Sequence, residues 1–153
     1  MPVVRGCLLP DELFYDVENH VWFRELDGGN VRIGMTTVAT ALAGQLVAFT
    51  PKKAGRAVQA GKSCATVESG KWVGPAKSAA GGEVVAVNED LVAKPTLAND
   101  DPYGAGWMVE LKPDDWAAAK AALVPGAQVG PKYEQKMDAD GFAGCTAAPG
   151  AQP

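Results

Sequence analysis

The 153-residue chain is 47% hydrophobic and 21% charged with a formal charge of −4. That is the composition of a single globular domain able to bury about two-thirds of the surface its unfolded form exposes. No basic stripe supports a nucleic-acid partner, and no run approaches the about 18 apolar residues of a membrane span, so neither partner is expected. Eighteen Gly and 11 Pro point to short strands joined by tight turns.

Cys7-Leu8-Leu9 is too short for a signal-peptide core, and a cytoplasmic location is expected. From Asn19 to Leu26, Val21 and Phe23 alternate with Trp22 and Arg24, the period of a strand with one buried face. Asp27-Gly28-Gly29-Asn30 is a hairpin turn, and Val31 to Met35 is the return strand. Thr36 to Gly44 reads as a short helix, with Thr36 or Thr37 as N-cap and Gly44 as stop. Further strands are expected at 45–50, 63–68, 83–88 and 107–111. Residues 89–106 read as a polar loop. Asp114 or Asp115 caps a helix from Trp116 to Leu123, and the chain beyond Val124 is rich in Gly, Pro and Ala. Short strands at close spacing with many turns argue a mostly β small barrel or sandwich.

Autonomous catalysis has little support. The single histidine, His20, stands at a strand start and reads as structural, and no nucleophile–base or phosphate-loop motif is present. Cys7, Cys64 and Cys145 form no metal-ligand spacing, and an odd, scattered set fits free thiols in a reducing compartment. Cys64, inside a strand, is expected to be buried and inert, while Cys7 and Cys145 lie in terminal segments open to exposure. One element stands apart: Glu68-Ser69-Gly70-Lys71-Trp72 places a single lysine at the turn between two strands. A lysine projecting from a rigid hairpin suits covalent carriage of a mobile arm, because tethering gives the arm a high effective concentration at partner sites.

Several spaced segments carry a resemblance. These are Asn19-His20-Val21-Trp22, Val31 to Thr36, Thr66 to Lys71, Gly82 to Asn88 and Asn99 to Trp107, with a weaker echo at Lys132-Tyr133. In that order they resemble the glycine cleavage system H proteins and their relatives. The resemblance implies a flattened β-barrel or sandwich of lipoyl-domain type over residues 1–130, with short peripheral helices and a C-terminal helix, and a flexible tail over 131–153. The lack of apolar bulk from Cys145 to Pro153 predicts a disordered end. The resemblance also implies a monomer that is a carrier rather than an enzyme, with lipoic acid amide-linked to Lys71. Glu68, Ser69, Gly70 and Trp72 would then serve ligase recognition and surround the arm, with Trp72 either packing over its base or anchoring the hairpin. Where the glycine-cleavage form has acidic residues, this chain has Val21 and Pro75, and its turn reads Ser-Gly-Lys-Trp. A cationic cargo wants an anion beside it in a partly desolvated cleft. These departures resemble the lipoate-binding proteins of sulfur oxidation. The partners so implied are a lipoate–protein ligase, a heterodisulfide-reductase-like complex and a dihydrolipoamide dehydrogenase.

Overall fold

A computed structural model of the chain describes residues 3–145. Its strands in chain order are β1 (Val3–Val4), β2 (Cys7–Leu8), β3 (Phe14–Asp16), β4 (Val21–Glu25), β5 (Val31–Met35) and β6 (Leu46–Pro51). They continue with β7 (Ala57–Val58), β8 (Lys62–Ser69), β9 (Val73–Ser78), β10 (Gly82–Val87), β11 (Val109–Pro113) and β12 (Val124–Pro125). The helices are α1 (Thr37–Ala43), α2 (Glu89–Ala93), α3 (Leu97–Asp100), α4 (Trp116–Ala121) and α5 (Val129–Asp140). A seven-stranded sheet in the order β12-β3-β4-β5-β11-β10-β7 accompanies a three-stranded sheet, β6-β8-β9, and the ribbon β1-β2. The result is a sandwich. Among the described residues the strands do not close into a barrel, and no helix is long and apolar enough to cross a membrane.

The β4–β5 hairpin turns where the sequence requires it, because Gly28 and Gly29 take φ of 84° and 90°, values that side chains rarely adopt. Val21, Phe23, Val31, Ile33 and Met35 join Phe49, Val67, Val84 and Leu111 in the main core. Trp22, on the opposite face from Val21 and Phe23, is also wholly buried, because a second core of Leu9, Tyr15, Val38, Tyr133 and Met137 covers that face. Thr36 caps α1 by accepting from the Ala39 backbone N–H at 3.2 Å, and Gly44 ends the helix at φ 83°. Asp115 caps α4, accepting from Ala118 N–H at 3.1 Å.

Three expectations need correction. The polar loop at 89–106 contains α2 and α3, anchored by the buried Leu91 and Ala98. The boundary expected at 130 falls inside α5, which buries Val129, Tyr133 and Met137 on one four-residue-spaced stripe. Pro131 is tolerated there because first-turn N–H groups have no intrahelical partner. The cysteines are not all free: Cys7 and Cys145 form a disulfide with Cα atoms 5.0 Å apart, and Cys7 is fully buried. Backbone pairing aligns them, since Cys145 N–H donates to the Arg5 carbonyl at 2.9 Å. Cys64 is the free, buried thiol, its pKa pushed up to about 12 by desolvation. The expectation of disorder from Cys145 to Pro153 fails at Cys145, which the bridge and the Arg5 carbonyl tie down; its remainder, residues 146–153, lies outside the described residues.

Candidate functional site

The β8–β9 hairpin presents Lys71. Along β8, Val67 and Ser69 point inward while Thr66 and Glu68 are exposed, as strand alternation demands. Ser69 closes the turn: its N–H donates to the Trp72 carbonyl at 2.7 Å, and its buried hydroxyl accepts from Lys71 N–H at 3.3 Å. Gly70 and Lys71 are exposed at the tip, and the lysine has no ion-pair partner among the described residues.

Beside Lys71 lies an open cleft of about 570 Å³, within the range of small-ligand sites. Its hairpin wall is Val67, Trp72, Pro75 and Ala76. Its opposite wall is the cross-strand pair Val21 and Met35, and α1 contributes Ala39, Leu42 and Ala43. Leu42 is 40% and Trp72 41% exposed, so apolar surface faces an open groove. The rim carries Glu18, Asn19, His20 and Lys77. Glu18, the one carboxylate in the lining, is held by Lys136 of α5 at 3.3 Å.

His20 ties this rim to α5. It sits at φ 57°, its ring stacks on Tyr133 with centroids 5.7 Å apart, and Nδ1 shares a 3.1 Å hydrogen bond with the Tyr133 hydroxyl. Burial, reinforced by Lys136, pushes the His20 pKa down and favours the neutral imidazole. Burial likewise raises that of Tyr133. Among the described residues no cluster of His, Cys, Asp and Glu has the makings of a metal site.

Of the residues singled out from sequence, the structure brings Lys71 and Trp72 into the cleft lining and puts Ser69 inside the turn. Glu68 faces the other way, and Gly70 lies outside the lining. A Cβ at Gly70 would meet nothing within 4 Å, so the turn does not require glycine there. Sequence reasoning missed the contributions of His20, Met35, Lys77 and α1. The usable signal for α1 was the apolar Ala39, Leu42 and Ala43 at helical spacing, which puts them on one face.

The sequence profile of the glycine cleavage H-protein family matches residues 13–136. "Glycine cleavage system H protein 5" of Aquifex aeolicus is 53% identical over 128 residues, covering 81% of this chain and 86% of the relative. "Probable glycine cleavage system H protein 2" of Sulfurisphaera tokodaii is 39% identical, covering 84% and 88%. The crystal structure of a glycine cleavage system H protein from Mycobacterium marinum superposes with a TM-score of 0.72 at 33% identity, covering 84% of this chain and 98% of that one. With a matching profile across most of its length, relatives covered over more than four-fifths of theirs and the same sandwich, the chain belongs to the glycine cleavage H-protein family.

Proposed function

We propose that this chain is a lipoyl carrier with its cofactor in amide linkage on the Nζ of Lys71. The observation that carries this reading is an exposed amine at the tip of a rigid hairpin, at the mouth of a mostly apolar cleft. The residues fit the group: the amine supplies the attachment, and the exposed apolar surface of Leu42 and Trp72 suits a hydrocarbon chain ending in sulfur. When bound, lipoate supplies a dithiol–disulfide couple that exchanges with thiols and accepts transferred groups. The chain's own residues present and shelter it. Ser69 holds the turn so that the amine projects, and the partners supply catalysis. Those partners are a lipoate–protein ligase for loading and a dihydrolipoamide dehydrogenase for reoxidation.

The relatives' names point to glycine cleavage, in which the arm would carry an aminomethyl group. A second reading, carriage of sulfur beside a heterodisulfide-reductase-like complex, is favoured by a specific feature of the cleft. Val21 and Pro75 line it, and its single carboxylate, Glu18, is exposed at the rim beside Lys136, so a cationic cargo finds no anion on the apolar walls. The test is to present the loaded protein with glycine and glycine decarboxylase, and separately with a sulfane-sulfur donor and the reductase-like complex. The Lys71 peptide is then weighed. An aminomethyl adduct formed at the rate of an ordinary H protein sinks the sulfur reading. A sulfur adduct without an aminomethyl one sinks glycine cleavage. An unloaded Lys71→Arg variant that still serves the partners would sink carriage altogether.

A further inference from the structure

Trp72 follows the lysine directly, and its ring does not float in solvent. A Cβ built on Gly74 would stand 2.9 Å from Cε2 and 3.0 Å from Cη2 of the Trp72 ring, with Cζ2 nearer still. The indole therefore occupies the space that a side chain at position 74 would take. Gly74 pairs with Val67 across the hairpin, and cross-strand partners share a face of the sheet. Val67 lines the cleft, so the ring is laid on the cleft face, where it is still 41% exposed. Gly74 has no left-handed backbone conformation that would explain its glycine, whereas the ring above it does.

We propose that Trp72, seated on Gly74, is the wall of the cleft against which the lipoyl arm packs, and that Gly74 is the positioning residue for it. This rests on the lipoylation of Lys71. An indole wall offers apolar contact to the arm's methylenes and a polarizable face to its sulfurs. It offers no charge, so it shelters the arm without requiring a cationic end.

The test uses the ligase-loaded protein, with loading first verified by mass on the Lys71 peptide. Tryptophan emission is compared between loaded and unloaded forms of the wild type and of Trp72→Phe. Alkylation of the reduced arm by iodoacetamide is then followed on the Lys71 peptide for wild type, Gly74→Ala, Trp72→Leu and Trp72→Phe. The wild-type arm should alkylate about two- to tenfold more slowly than in Gly74→Ala or Trp72→Leu, the range that one sulfur–aromatic contact converts to. Trp72→Phe should be intermediate, and loading should change emission only where Trp72 is present. Gly74→Ala keeps the indole but displaces it, and the ring is the movable end of an exposed side chain, so the hairpin survives. Equal alkylation rates in all loaded variants, with no Trp72-dependent change in emission, would overturn the assignment. Absence of a lipoyl adduct on Lys71 after ligase treatment would instead remove the reading on which it rests.

Discussion

Gly34→Ala should be among the most damaging single-methyl changes available to this protein. Gly34 of β5 lies opposite Trp22 of β4 in the sheet register. A Cβ there would stand 2.6 Å from Trp22 Nε1 and nearer still to Cε2 and Cζ2. The ring has no room to yield. Trp22 is fully buried, Tyr103 lies 6.0 Å away centroid to centroid, and Nε1–H donates to the Pro102 carbonyl at 3.0 Å. Overpacking costs about 1–3 kcal/mol. Pulling the indole N–H from its carbonyl strands a buried donor, for about another 1–3 kcal/mol. Ala regains about 0.5–1 kcal/mol over Gly in the strand, leaving a net loss of about 1–5 kcal/mol. That is a large share of the about 5–15 kcal/mol that holds such a domain together. Urea unfolding followed by near-ultraviolet circular dichroism would measure it. Gly70→Ala serves as the control, since its Cβ meets nothing and its φ is not positive, so it should change stability by less than about 1 kcal/mol. A Gly34→Ala variant within about 0.5 kcal/mol of wild type would refute the packing argument.

Cys145→Ser should destabilise the oxidised protein by about 2–5 kcal/mol, because the bridge closes a loop with a sequence separation of 138. Thiol titration of the unfolded, unreduced wild type should find one free cysteine, Cys64, and three would refute the bridge. His20 is the chain's single histidine, so its ring protons give an unambiguous NMR titration. Its midpoint should fall below the ordinary 6.5, since burial and Lys136 oppose protonation. The depressed folded-state value means that its contribution to stability is fully present above pH 6.5 and is lost as pH falls through the folded pKa. A midpoint at or above 6.5 contradicts the burial argument, in which Asp140, Asp16 and Glu18 oppose the shift without overcoming it. Lys71→Arg should leave thermal stability unchanged within about 0.5 kcal/mol, because an exposed turn residue has little packing to lose. The same variant should abolish ligase loading.

The elements legible in the sequence were those set by local chemistry. The β4–β5 hairpin announced itself through Gly28 and Gly29, α1 through Thr36 and Gly44, and α4 through Asp115. What escaped depended on contacts distant in sequence. Trp22 alternates with the buried Val21 and Phe23, and it is segments distant in sequence, the N-terminal segment, α1, the Pro102-Tyr103 turn and α5, that bury it. α5 was hidden because Gly130 and Pro131 open it, and its stripe of Val129, Tyr133 and Met137 has few apolar members. The bridge between Cys7 and Cys145 could not be read from spacing, since 138 residues separate its ends. At the site, Lys71 and Trp72 were legible from the turn. The opposite wall of the cleft, built by Val21, Met35 and α1, needed the sheets to be stacked first.

The most direct test of the central claim is the intact mass of the protein isolated from its own cells without reductant, with peptide mapping across residues 62–77. Lipoyl carriage predicts one lipoyl amide, located on Lys71. A protein isolated under conditions in which its partners are produced, with Lys71 unmodified, would contradict it.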